Sequence, residues 1–505
     1  MLTDISNIYF DGQCPPYYMS EINQLISEPL ASTIAKHPGL VELFRYPLME
    51  AIVERRTRRV ARGACISAGE LSYTSPNQPE PLSPLEEAIL VVATGMTGIT
   101  THDGPLYKPE GGKELGTPFL NIVARSGSSA DNSQATSFFM INDEGIWLIK
   151  HLKGREALAV LGDLPPKWQD WTEEHWLKAA GAVKHRISDR RLDFPRIYPY
   201  YLGWNKQISN LPGTTVFFPV VDCTRQYINV LLILLSEPEG QKPLFVDDWQ
   251  KFRPKSWADW KAWIGMHLGL VPWIPYQPIG GIDRAQGGFV NPNNVVPLGL
   301  AQTMRTDYEC FFILQNLMLI SQAMGLGSWI HGSVFQPYIL ERNPAKDWYG
   351  LGFRMEQPTP AKKRWAPLPT PQTNPVGIDG VLEGLCPPYV KSMDEAVDRV
   401  IEDKFGSQGA YGDKDIFTRP YKNRSSGEAF LRNAEPHSKE TIQYTKDICN
   451  YIWETYGRFP AHIDAFYVPG IWLQFSNLEM EYYQQYYDPE LFRRQAQHEQ
   501  IWGKK

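Results

Sequence analysis

Residues 310–327 constrain this chain more than any other stretch. Phe311, Leu314, Leu317, Met318, Ile320, Ala323 and Met324 make a helix there apolar almost all round, and such a helix is expected to be buried. Asp307 can cap its start, and Gly325 and Gly327 stop it. Gln315, Asn316, Ser321 and Gln322 interrupt the run, which keeps it short of the roughly 18 to 20 apolar residues a membrane span needs. The apolar run 227–235 is about half a span. No contact with a membrane is expected. The opening Met1-Leu2-Thr3-Asp4 lacks the basic region and apolar core of a secretory signal, so the chain reads as soluble and cytoplasmic.

At 505 residues, 43% hydrophobic and 21% charged, the chain is long enough for two or three domains. Its six cysteines lie far apart with no C-x-x-C pair, which argues against a zinc ribbon or thioredoxin-type site and fits a reducing compartment. Residues 1–48 read as an irregular arm with some helix, and Leu48, Ile52 and Val53 suggest a short helix after it. Ser83-Pro84-Leu85-Glu86 is a helix start: Ser83 caps, Pro84 suits the first turn and Glu86 completes a capping box. Leu85, Ile89, Leu90 and Ala93 supply the buried face of that helix. The polar run 128–134 leads into a strand at 138–141, a turn at Asn142-Asp143-Glu144-Gly145, and a second strand at 146–149.

Residues 150–205 read as helical, with Thr172 a candidate cap, and 214–221 and 227–235 read as two strands. Trp249, Trp257, Trp260, Trp263 and Trp273 mark a packed subdomain or a pocket for a flat ligand. The proline-rich stretch 356–375 is the best candidate boundary. Beyond it, 376–505 forms a C-terminal section with helices at 393–405 and 439–456 and an aromatic stretch at 467–487.

A second feature asks for a partner. Glu54-Arg55-Arg56-Thr57-Arg58-Arg59 sets four arginines in five positions of a chain whose net charge is -6. A solvated face, a nucleic-acid patch or address signal, and a phosphate clamp all fit such a run. The pI near 6.0 argues against general nucleic-acid binding. In extended backbone Arg55, Thr57 and Arg59 share one face, and Arg58 points the other way as a spectator. Neither Gly-x-Ser-x-Gly nor Gly-x-x-x-x-Gly-Lys occurs, so no nucleophile elbow or nucleoside-triphosphate loop is expected. His462, Asp464, Glu479 and Glu481 match no ligand spacing, and no metal is expected.

Three stretches in order carry a resemblance. Arg55-Arg56-Thr57-x-Arg59 precedes the capped helix with its Leu82-Ser83-Pro84-Leu85-Glu86-Glu87. Ser129-x-x-Asn132-x-Gln134 enters a strand. Ala323-x-Gly325-Leu326-Gly327-Ser328 ends the apolar helix, and Ile330-His331-Gly332 follows. This order resembles the nitroreductase family of FMN enzymes, over about residues 50–150 and 300–365. The resemblance implies an α+β fold, a mainly antiparallel sheet flanked by helices. It makes 49–375 the FMN-binding domain, 151–300 a substrate-shaping insertion and 376–505 a C-terminal helical, aromatic-rich extension.

The resemblance also implies roles. Arg55, Arg56, Thr57 and Arg59, with the late pair Lys362-x-Arg364, would hold the phosphate. Ser129, Asn132 and Gln134 would line the edge of the ring. Backbone near Gly325, Gly327, Ser328, His331 and Gly332 would approach its reactive nitrogen, with His331 standing where many members have glutamate. No side chain is expected to act as nucleophile, because the flavin carries the chemistry. NADH or NADPH would be the electron donor and a small organic molecule the acceptor, in a homodimer with FMN between the chains. The alternatives are a flavin-dependent dehydrogenase or oxidase on a larger substrate, and a non-catalytic binding protein of the same fold.

Overall fold

The computed structural model describes residues 32–33, 36–103, 118–198, 200–203, 205–247, 268, 277–278, 281–299, 307–332, 337–343, 348–359, 373–434, 436–460 and 463–503. The five tryptophans of the 249–273 stretch, His462, Lys362 and Arg364 lie outside these residues.

Helices α1 (Gly39–Arg45) and α2 (Leu48–Glu54) precede the arginine run. Helix α3 (Pro84–Ala93) begins with the predicted box: Ser83 Oγ accepts from the Glu86 N–H at 3.3 Å, and Glu86 Oε2 accepts from the Ser83 N–H at 2.7 Å. Strand β1 (Val123–Arg125) leads through the polar loop into a hairpin, β2 (Thr136–Asn142) and β3 (Gly145–Ile149). Helices α4 (Gly154–Gly162) and α5 (Glu173–Val183) follow, the latter opened by the Thr172 N–H donating to His175 Nδ1 at 3.0 Å. The expected helix does not continue from there, and β4 (Lys184–Ser188) takes its place as the strand beside β3.

Strand β5 (Thr215–Asp222) is as expected, but 227–235 is not a strand. It belongs to helix α6 (Thr224–Leu234), whose start is fixed by Asp222 Oδ1 accepting from Thr224 N at 2.8 Å and from its hydroxyl at 2.6 Å. Ile228, Val230, Leu231 and Leu232 are all at most 1% exposed. A helix covered on every side has no polar face, so its sequence carries no period to tell it from a buried strand. The apolar helix is α7 (Asp307–Met324), followed by β6 (Gly327–His331). It is not covered all round: Phe311 and Phe312 are 45% and 46% exposed, because no described element packs over that side. Helices α8 (Met393–Phe405) and α9 (Lys439–Tyr456) have the predicted bounds. Strands β7 (Phe466–Tyr467) and β8 (Trp472–Ser476) and helices α10 (Arg493–Ala496) and α11 (His498–Trp502) complete the set needed here.

The result is an α+β fold around a seven-stranded sheet ordered β6–β8–β5–β2–β3–β4, with β7 also on β5, and every pairing in it is antiparallel. Residues 376–505, expected as an extension, insert β8 between β6 and β5. Residues 151–300, expected as an insertion, supply β5, which joins the two halves of the sheet. Both faces are covered. Phe138, Met140, Phe217, Leu473 and Phe475 meet α3, α5 and α7 on one side. Phe139, Ile141, Phe218 and Trp472 meet α6, α8 and α9 on the other. Period-2 side-chain alternation explains why neighbours such as Phe138 and Phe139 fall into different cores. Among the described residues no helix is long and apolar enough to cross a membrane.

Candidate functional site

The arginine run leaves α2 in extended backbone and lies against the start of β6. The Arg58 N–H donates to Ser328 O at 3.2 Å, and Ala61 bridges antiparallel to Leu478. The side chains then divide by burial. Arg58 is 6% exposed and its guanidinium donates to Arg56 O at 3.0 Å, to Gln322 Oε1 at 3.3 Å and to Leu491 O. Thr57 and Arg59 face out. Arg56, also exposed, curls back onto Val53 O at 2.9 Å and Arg55 O at 3.1 Å. Arg55 is half-buried, with Nη1 3.8 Å from Met318 Sδ. The expected spectator is therefore the arginine that fastens the run, tying it to α7 and to the C-terminal section.

Arg59 lies 5.8 Å from the Trp329 ring centroid. Trp329 in turn stacks on His331, centroids 3.6 Å apart and planes 17° apart. His331 Nδ1 accepts from Trp472 Nε1 at 2.8 Å. Burial, and then the nearby Arg59 charge, push the imidazole well below its ordinary range, so it stays neutral at physiological pH. Trp472 was not a sequence candidate, and no local signal marks it; only the β6–β8 register sets it opposite His331.

The glycines at the end of α7 are filled from the C-terminal section. Gly325 has φ +81°, and a Cβ there would meet Arg494 O at 2.8 Å. One on Gly327 would meet Leu478 Cδ2 at 2.2 Å. Ser328 Oγ accepts from Ser321 Oγ at 2.7 Å. Gly332 is exposed beside Gly470 O. Of this group, Ser328 lies nearest the arginine run through its carbonyl and His331 lies in the field of Arg59, whereas Gly325 and Gly327 serve packing.

The loop at 129–134 sits at the other end of α7. Ser129 Oγ donates to Glu309 Oε2 at 2.6 Å and accepts from the Gln134 N–H at 2.8 Å. Asp131, Asn132 and Gln134 have φ of 51°, 48° and 49°, the left-handed region that non-glycine residues seldom occupy. That turn aims the amides inward. Asn132 Nδ2 donates to Asn121 O and Val123 O, and Gln134 Nε2 donates to Val123 O and, at 2.8 Å, to Asn132 Oδ1. The amide donors expected along a flavin edge are spent on backbone around β1. Glu309, fully buried, also accepts from Thr136 N at 3.0 Å and pairs with Arg125 at 3.5 Å. The signal for it was a lone carboxylate at the head of an apolar helix.

A flavin's phosphate end fits Arg55, Thr57 and Arg59, which leave cations and a hydroxyl on the open side. Its ring edge does not fit Asn132 and Gln134 as they stand within one chain. The two sets are separated by α7, about 27 Å long at 1.5 Å per residue over its 18 residues. A cleft of 290 Å³ beside α2 is lined by Glu42, Glu50 and Glu54 against Arg45, Arg493 and Arg494, a balance of charge that gives an anion no net attraction. No family model matches the chain, and neither a curated protein nor a solved structure matches it significantly.

Proposed function

We propose that this protein is an FMN-dependent oxidoreductase of nitroreductase-like build, acting as a homodimer on a small organic acceptor with NADH or NADPH as donor. One observation carries the reading. The arginine run is divided: Arg58 is consumed by the fold, Thr57 and Arg59 face out beside β6, and half-buried Arg55 lies beside Met318 of α7. Guanidinium forks of that kind suit a phosphomonoester. When bound, FMN would supply hydride transfer; the chain's part is to bind and orient it. Arg55 and Arg59 would hold the phosphate with Thr57. His331, kept neutral, would add no charge to a cofactor held there, and buried Trp329 would help keep water from it.

The homodimer has its own support. Leu48, Met49, Ile52 and Val53 on α2 are 47% to 66% exposed, and α2 packs beside α7, which exposes Phe311 and Phe312. Covering such apolar surface is favourable at about 25 cal/mol per Å². A second copy packed across α7 would also bring the loop of one chain toward the arginines of the other.

A second reading, a non-catalytic protein of the same build, is favoured by the inward amides of Asn132 and Gln134. One experiment separates the two. The purified protein is expected to be yellow and to release FMN on denaturation. A colourless protein that takes up no added FMN refutes the enzyme reading.

A further inference from the structure

The 129–134 loop is tied to the C-terminal section by a buried chain of side chains that the proposed flavin site does not use. Asp131 Oδ2 accepts from Gln226 Nε2. Gln226 Oε1 accepts from Asn229 Nδ2 at 3.2 Å, and Asn229 Oδ1 accepts from Lys404 Nζ at 2.8 Å. The same Nζ donates to His437 Nε2 at 3.0 Å. Ser236 Oγ gives its proton to Leu232 O at 2.7 Å, so it accepts from His437 Nδ1 at 2.6 Å, which leaves Nε2 as the acceptor for lysine. Asn229 and Lys404 are 0% exposed and Gln226 is 3% exposed. A lysine held this deeply, and bonded only to neutral groups, is costly in its charged form.

We propose that Lys404 is a positioning residue for the 129–134 loop: its ammonium charge, carried toward the loop through Asn229 and Gln226, helps hold the Asp131 carboxylate in place, and loss of that charge weakens the closed loop. The proposal rests on the flavin reading only for what the loop would serve. The groups that face this chain are few. Asp131 is the carboxylate that favours the ammonium, and burial opposes it, bringing Lys404 down to about 7. His437 is held well below its ordinary range by burial and then by Lys404 and Lys242. Burial raises Asp131, against Gln226 and Lys404. Tyr308 and Tyr411 also lie in the field of Asp131.

Opening the loop leaves Lys404 between Asn229 and His437 and removes only Asp131. The closed loop therefore binds the proton more tightly, and closure weakens as pH rises through about 7. The left-handed residues 131, 132 and 134 make the loop easy to release, since its bonds alone hold that shape.

Hydrogen exchange of the full chain tests this without any flavin, from pH 6 to 9 after correction for the intrinsic exchange rate. Protection of peptides covering 126–137 is expected to fall with a midpoint near 7, while 138–149 stays flat. Lys404→Met is expected to abolish the transition. A lysine that merely stabilises the fold gives the opposite sign, because a buried amine with a lowered pKa stabilises the whole protein as pH rises. Rising or flat protection in the parent protein, or a transition that survives Lys404→Met, overturns the proposal. Should Lys404→Met not fold, Asp131→Asn decides: the Lys404 side-chain titration followed by NMR must move to lower pH, and an unmoved midpoint overturns the proposal. A colourless protein that still shows the transition sinks the cofactor reading alone.

Discussion

Replacing Arg58 by methionine separates the structural arginine from its neighbours. The guanidinium is 6% exposed and donates to Gln322 Oε1, Leu491 O and Arg56 O. Methionine fills much of the same space and restores none of these bonds. Arg56 belongs to the exposed part of the run, so water can reach its carbonyl. Gln322 Oε1 keeps the Gln495 Nε2 donor at 3.1 Å, and Leu491 is 46% exposed, so its carbonyl can turn to water; what is lost is the bonds of a charged donor, about 1.5–3 kcal/mol in all. Burying the methionine chain returns part of this, so the net loss is about 1–2 kcal/mol. Arg59→Met removes an exposed guanidinium and should change stability by less than about 0.5 kcal/mol. Urea unfolding of the three proteins measures this directly, provided the denaturant slopes agree. Equal losses at both positions, or an Arg58→Met protein as stable as its parent, would refute the division of the run into one structural arginine and an open cationic face.

Four further outcomes are expected. Arg55→Gln and Arg59→Gln should each strip FMN from the purified protein, read by absorbance of the supernatant after denaturation, while leaving the unfolding midpoint near that of the parent freed of FMN. Gly325→Ala should destabilise by about 2 kcal/mol or more, since its φ is +81° and Arg494 O stands 2.8 Å from the new carbon; a neutral result in thermal unfolding would contradict this close packing. His102, enclosed by Phe119, Tyr411, Phe417 and Phe430, is lowered by burial to about 4. Its unfolded form binds a proton below about 6.5 and its folded form does not, so stability falls by about 3 kcal/mol as pH drops from 6.5 to 4, and His102→Phe should flatten that part of the pH–stability curve. Phe312→Glu should shift sedimentation toward the monomer; an unchanged mass would place the dimer interface elsewhere.

The sequence by itself determined whatever is settled between near neighbours. The Ser83–Glu86 box closes within one turn, the 136–149 hairpin folds about its own four-residue turn, and α8 and α9 carry a clear polar face. Strand geometry alone set Thr57 and Arg59 outward and Arg58 inward, but not half-buried Arg55 or exposed Arg56. Tertiary structure decided the rest. Helix α6 was illegible because burial on every side erases its period. Strand β8 could not be placed between β6 and β5 from local pattern, since its pairing depends on which surfaces the whole chain covers. The same holds for single side chains: Arg58 became structural because Leu491 arrives from far along the chain, and the inward amides of Asn132 and Gln134 both donate to the one β1 carbonyl of Val123. Residue identity fixes what a group can bond to; only the fold fixes which bonds are left for a ligand.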